Sequence, residues 1–301
     1  RLNVATSCGY GYPGTKKEYF PLLEESEVYR EPVSDIMYDL HQSHLIYDVG
    51  NLTCQPNVAC LKDEVVLREK AELAKTRYFG NPTSVHLLNS KCTLAPFYSL
   101  MVEHGDIFGT AVGINMHRGG DELIRKLSDF SPLIMEGDYS GYDVSTPYML
   151  NLAASTLICN ICTKLGYSDT AMNVVRGVLS DNLHPVIVLN NDVFIKPGLT
   201  VSGKYGTAEH NSLMGVMYLL YIWYSIPELR HLDFFDYCLP VTYGDDVLVA
   251  IKEEVAHLYN PGVYSRLCSE LLGMTFTNAA KTGDNDEFLS KTEVSFLKRK
   301  F

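Results

Sequence analysis

Apolar and polar positions change period several times along this chain, and the changes mark out its elements. Residues 239–251, LPVTYGDDVLVAI, form two short apolar runs rich in β-branched residues around a Gly-Asp pair of the kind that closes a two-residue hairpin. Residues 133–138 read as another strand, ending in the carboxylate of Asp138. Beyond it, Thr146 as N-cap and Pro147 at the first helical position predict a helix that stops at Gly166. Residues 186–189 and 193–195 read as a hairpin around 190–192. A Gly/Ser-rich loop at 198–206 opens a long apolar helix running from Thr207 to the residue before Pro227. Asn260 and Pro261 start a further helix, Gly273 stops it, and a strand at 274–277 follows. Residues 1–20 are turn-rich, whereas 21–60 show no clear period. The order strand, helix, loop-helix, hairpin, helix, strand predicts an antiparallel sheet backed by helices, an α+β core.

Composition narrows the picture. A chain of 301 residues that is 46% hydrophobic and 20% charged is ordinary globular protein, long enough for about two or three packed lobes. A net charge of −11 argues against a general nucleic-acid binder unless cations are concentrated locally. Residues 62–77, KDEVVLREKAELAKTR, are where they concentrate in the first hundred residues. The eight cysteines are scattered, and Cys159 and Cys162 form a CxxC in an apolar helical stretch without a second pair. Free buried thiols in a reducing compartment explain them better than zinc. The longest apolar run, 213–226, is too short to span a bilayer, and no signal peptide is visible. The chain begins at Arg1 and ends after the basic run FLKRKF, so it is expected to be a piece of something longer.

The chemistry gathers at carboxylates. Asp245 and Asp246 sit side by side at the predicted hairpin tip, where neighbouring charges repel and each is costly to desolvate. A hard divalent ion such as Mg²⁺ relieves that repulsion, although for the pair taken alone a solvated acidic turn is the commoner explanation. Asp138 and Asp143 lie five apart in EGDYSGYD. If the 133–138 strand lies beside the hairpin, Asp138 and Asp245 meet at one sheet end, which suits a clamp on two ions roughly 3.5–4 Å apart. The loop GLTVSGKYG supplies Ser202 and Gly203, and Thr207 and Asn211 share a helix face. With Asp143 nearby they suit hydrogen bonding to a sugar 2′-hydroxyl, although an ordinary Ser/Gly turn has the same composition. Lys62, Arg68, Lys70, Lys75 and Arg77 suit a triphosphate or, interleaved with acids, a solvated surface. Lys281, after the 274–277 strand, suits protonation of a leaving pyrophosphate, although a lone lysine is more often a plain surface charge; Lys298 and Arg299 suit contact with a phosphate backbone.

Taken in order, these pieces resemble the RNA-dependent RNA polymerases of picornavirus-like positive-strand RNA viruses. TSCGYGYPGTKK, with Thr6 and Ser7, looks like that family's template-entry motif, and KDE with Lys70, Lys75 and Arg77 like its nucleotide-entry motif. DYSGYD resembles the motif of the first metal ligand, SGKYGTAEHNS the pattern S-G-x-x-G-T-x-x-x-N-S, and YGDD the family hallmark. GMTFTNAAK looks like the general-acid motif and FLKR the primer-contact motif. The sequence departs from the pattern at Val66, where an arginine is usual, in a GLTVSG approach one residue longer, and at Asn278 and Ala280 in place of proline and aspartate.

The resemblance implies a right-hand polymerase with an antiparallel palm sheet and an α/β fingers subdomain. Its expected division is fingers at 1–95, palm at 96–172, a fingers insertion at 173–197 and palm again at 198–301, without an upstream fingers segment or a thumb. It implies two Mg²⁺ ions, with Mn²⁺ as a substitute, held by Asp138, Asp245, Asp246 and the Tyr139 carbonyl. Ribose would be checked by Asp143, Ser202, Thr207 and Asn211, and triphosphate steered by Lys70, Lys75 and Arg77, with Lys62 and Gly203 also binding the nucleotide. RNA would be met by Thr6, Ser7, Lys298 and Arg299, and the proton supplied by Lys281. The implied partners are RNA template and primer, NTPs, a protein primer and other viral replication proteins, at membrane-associated replication complexes in the host cytoplasm. Two other readings stay open: a reverse transcriptase, which shares the paired aspartates, and a non-catalytic RNA-binding module with a palm-like sheet.

Overall fold

A computed structural model describes residues 2–24, 30–73, 77–278 and 287–301. The strands are β1 (Pro56–Leu61), β2 (Tyr78–Asn81), β3 (Ile134–Ser140), β4 (Val186–Leu189), β5 (Asp192–Ile195), β6 (Cys238–Tyr243), β7 (Asp246–Ile251), β8 (Thr275–Thr277), β9 (Ser295–Phe296) and β10 (Arg299–Lys300). The chain forms two compact units, Arg1–Ala95 with Ser155–Tyr205, and Pro96–Ala154 with Gly206–Phe301.

The first unit holds a four-stranded mixed sheet in the order β2-β1-β4-β5. β1 runs antiparallel to β2 and parallel to β4, with Pro56 opposite Val186. The expected hairpin at 186–195 forms, its second strand starting one residue early, with Asn190 taking a left-handed φ of +54° that asparagine tolerates. Helices Ser34–Asp48 and Asp169–Leu183 pack closely because Gly177 faces Tyr47; a Cβ there would lie 2.0 Å from the ring. Buried Asp181 stitches the same region by accepting from Tyr47 Oη at 2.8 Å and from the backbone N–H groups of Thr53 and Cys54.

The two compact units are not cut where the expected fingers and palm bounds fall. Residues 155–172, expected as part of the palm stretch 96–172, lie in the first unit, where Tyr167 Oη donates to the Thr93 carbonyl at 2.8 Å. Residues 198–205 also belong to the first unit, because Leu199 and Val201 are buried with Ile187.

The second unit holds the antiparallel sheet in the order β6-β7-β3-β8. On one face Ile134, Leu248 and Ala250 pack with Val241, Leu127, Val294 and Phe296. Helix Thr207–Ser225 approaches β6 closely where Gly215 meets Thr242; an added Cβ would lie 3.3 Å from Thr242 Cγ2. Tyr139, Tyr142, Tyr218, Tyr264 and Phe276 form a buried cluster of mostly edge-to-face rings. Asn260 caps Pro261–Leu267 as expected, its side chain accepting from Val263 N at 3.0 Å. Thr146 does otherwise. It ends the short helix Tyr142–Ser145, its hydroxyl donating back to the Tyr142 carbonyl, and the next helix runs Tyr148–Lys164.

All eight cysteines are free thiols, and burial pushes Cys162 up to about 11, so it stays protonated. Among the described residues no helix is long and apolar enough to cross a membrane.

Candidate active site

The acidic residues converge through strand register. β3 and β7 pair as far as Gly137 opposite Val247, so the next step along the two strands sets Asp138 across from Asp246. Tyr243 pairs with Asp246, which leaves Gly244 and Asp245 as the turn between β6 and β7. Gly244 has φ +64°, a left-handed backbone that glycine adopts without strain. Asp138 and Asp246 are half-buried and Asp245 is exposed. Burial, reinforced by the charges of Asp245 and Asp138, pushes the Asp246 carboxyl up to about 6, while Lys298 pulls it the other way. Three carboxylates thus share one end of the sheet with a lysine.

Among the described residues no group of three His, Cys, Asp or Glu side chains closes into a metal cage. Mg²⁺ does not need one, since it commonly takes one or two carboxylates and completes its shell with water and substrate phosphate. The oxygen donors at this end of the sheet, and the mutual repulsion a cation would relieve, fit such an ion. The Tyr139 side chain is buried on the other face of β3, its hydroxyl 2.5 Å from that of Tyr264, so only its carbonyl remains as a metal ligand.

Beside the carboxylates, Gly141 at φ +64° turns the chain into the short helix that carries half-buried Asp143. The neighbouring Tyr142 hydroxyl donates to the Asn211 carbonyl at 3.0 Å, joining this helix to Thr207–Ser225. Asn211 is 6% exposed, and its Oδ1 accepts no hydrogen bond among the described residues. Thr207 opens its helix after Gly206, whose missing Cβ leaves room for the Tyr98 ring.

Other predicted residues lie in the first unit. Ser202 is half-buried, and Gly203 lies so close to the Gly80 carbonyl that a Cβ would sit 2.1 Å from its oxygen. Lys62 N–H donates to the Arg77 carbonyl at 2.9 Å, and the exposed Arg77 guanidinium lies 3.5 Å from Glu64. Arg68 pairs with Glu72 along one exposed helix turn. Thr6 and Ser7 are exposed, held from below by buried Lys16, whose Nζ donates to Thr6 Oγ1 at 2.9 Å and to the Ser7 carbonyl. Lys75, Lys281 and the Lys70 side chain lie outside the described residues. In the second unit Lys298 and Arg299 are exposed on the β9–β10 hairpin, Arg299 donating to the His117 ring.

Sequence reasoning passed over Glu136, a buried carboxylate two residues before Asp138. The period-2 rule puts it on the same strand face as Asp138, and that signal was there to read.

The architecture is that of the right-hand polymerases: a solved sicinivirus 3Dpol RNA-dependent RNA polymerase superposes with a TM-score of 0.84 at 20% identity, covering 99% of this chain and 59% of that one. The chain matches the viral RNA-dependent RNA polymerase family over residues 1–301 and belongs to it. It is 30% identical to the RNA1 polyprotein of Satsuma dwarf virus over its full length and 26% identical to the genome polyprotein of human parechovirus 2 over 99% of it. A replicase polyprotein of acute bee paralysis virus is 26% identical over 81% of the chain. The chain spans only 13–15% of the length of these polyproteins.

Proposed function

We propose that this chain is the nucleotidyl-transfer core of an RNA-directed RNA polymerase that adds nucleotides from NTPs to an RNA 3′-hydroxyl under template direction. One observation carries the reading: in a chain of this family, Asp138 lies across from Asp246, whose carboxyl feels the charges of both Asp245 and Asp138. Bound Mg²⁺, or Mn²⁺ in its place, supplies the positive charge that lowers the pKa of the 3′-hydroxyl and offsets charge on the leaving pyrophosphate. Asp138 and Asp245 hold two such ions, with Asp246 and the Tyr139 carbonyl assisting.

Asn211 accepts a hydrogen bond from the ribose 2′-hydroxyl, and Asp143, Ser202, Gly203 and Thr207 complete that contact. Lys62, Lys70, Lys75 and Arg77 neutralise the triphosphate, and Lys281 protonates pyrophosphate. Thr6 and Ser7 meet the template strand, and Lys298 and Arg299 the primer strand. The first unit acts as fingers and the second as palm. The chain works with RNA, NTPs, a protein primer and other replication proteins, in the host cytoplasm at membrane-associated complexes.

Primer extension tests this reading, comparing the longer viral protein that contains this chain with its Asp245→Ala variant. Extension with NTPs by the parent and none by the variant is expected. Equal extension by both overturns the assignment, and a preference for dNTPs favours reverse transcription instead.

A further inference from the structure

Ser212 follows Asn211 on helix Thr207–Ser225 and is completely buried. A serine in a helix interior that bonds back to its own helix loosens it slightly, so a buried one calls for a reason. Here the hydroxyl does two things. It donates its single proton to the Ala208 carbonyl at 2.7 Å, which turns a lone pair outward, and that lone pair accepts the Gly244 N–H at 2.8 Å. Gly244 begins the turn that carries Asp245, and beyond its two chain neighbours nothing lies within 4 Å of where its Cβ would be. Side-chain packing therefore does not hold that point of the turn; beyond the Tyr243–Asp246 strand pairing, the Ser212 hydrogen bond does. The helix is fixed to β6 once more where Thr242 Oγ1 donates to the Ser212 carbonyl at 2.9 Å. On its other side the Tyr142 hydroxyl, next to Asp143, donates to the Asn211 carbonyl.

We propose that Ser212 is a positioning residue that ties the sugar-contacting helix to the aspartate turn, so that the seat of Asn211 and the aim of Asp245 are set by one hydroxyl. The proposal rests on the polymerase reading above. Without the Ser212 hydroxyl the Gly244 N–H loses its anchor, Asp245 samples other orientations, and an ion is bound less tightly before any nucleotide arrives. Discrimination against a 2′-deoxy sugar weakens with it, because a misplaced sugar no longer misaligns the turn.

The test measures Mn²⁺ affinity by electron paramagnetic resonance in the absence of nucleotide, together with amide exchange at Gly244. Ser212→Ala is expected to weaken Mn²⁺ binding roughly 3- to 10-fold, the equivalent of one hydrogen bond, and to speed exchange at Gly244. In extension assays it lowers kcat and the NTP-to-dNTP preference while leaving KM for NTP nearly unchanged. Ser212→Cys, which preserves volume but accepts poorly, shifts each quantity the same way; it carries the test if the alanine variant fails to fold. Asp245→Asn is the control. Mn²⁺ binding retained in that variant removes the metal reading itself. Binding lost there but at parental strength in both Ser212 variants overturns the proposal, as does fast Gly244 exchange in the parent protein.

Discussion

The buried carboxylate of Glu136 accepts the backbone N–H of Ser295 at 2.6 Å and its hydroxyl at 2.8 Å. Glu136 shares a strand face with Asp138, so one strand carries both a metal-ligand candidate and the anchor of the β9–β10 hairpin. That hairpin turns through Leu297 and Lys298, both non-glycine residues with φ of +51° and +61°, a conformation that side chains resist. Glu136→Ala strands two donors and releases the hairpin base. Unfolding in denaturant is expected to show a loss of about 1–3 kcal/mol. Ser295→Ala, which removes only the hydroxyl, is expected to cost less.

The raised carboxyl of Asp246 sets a pH dependence. Its pKa moves from 3.8 to about 6 through burial and the charges of Asp245 and Asp138. Between those values the folded chain holds a proton that the unfolded chain has released, so stability falls as pH rises through that window. Without divalent ions the unfolding free energy is expected to drop between about pH 4 and 6, by an amount on the order of 1 kcal/mol after solvent screening. Asp246→Asn flattens that slope and stabilises the ion-free protein at neutral pH. Thermal unfolding across a pH series, with and without Mg²⁺, measures both effects.

Gly137 sits against Phe276 so closely that a Cβ would lie 2.2 Å from the ring. The ring cannot step aside, because Tyr139 and Tyr264 pack it at centroid distances of 5.1 and 4.8 Å. Gly137→Ala is expected to destabilise by about 1–3 kcal/mol through overpacking, read from the thermal midpoint. Adding Phe276→Leu to that variant recovers part of the loss.

Asn211 has a buried carbonyl oxygen that accepts nothing from the described protein, the acceptor a ribose 2′-hydroxyl needs. Asn211→Ala is expected to reduce the preference for NTP over dNTP roughly 10- to 100-fold, consistent with about 1.5–3 kcal/mol for a bond in a dry site. Competing NTP and dNTP in single-nucleotide extension measures it.

Elements with local punctuation were legible. The 239–251 hairpin carries its turn pair between β-branched runs, and the helix from Thr207 follows a glycine-rich loop. Elements specified from a distance were not. β1 reads PNVACL with no alternation, because it is paired on one side by a strand far along the chain. Helix Ser34–Asp48 has apolar residues scattered around its circumference and a Val33 N-cap without a side-chain bond; it is held by the Gly177–Tyr47 approach. Helix Ser84–Glu103 contains Pro96, a residue that ordinarily ends a helix. At the candidate site, Asp138, Asp245, Asp246 and Asn211 announced themselves by chemical type. Glu136 was legible only through the strand period that sets it on the Asp138 face; its partner Ser295 lies 159 residues further on, and nothing local points to it.

The parallel pairing of β1 with β4 has a consequence during synthesis. Strand Pro56–Leu61 leaves the ribosome long before Val186–Leu189 exists. At roughly 5–20 residues per second the wait lasts on the order of 10 seconds. Throughout it, one flank of the nascent strand offers bare N–H and carbonyl groups to any extended peptide nearby. A half-built sheet thus leaves this chain an adhesive edge while it is being made, and a chaperone that covers the edge does good there.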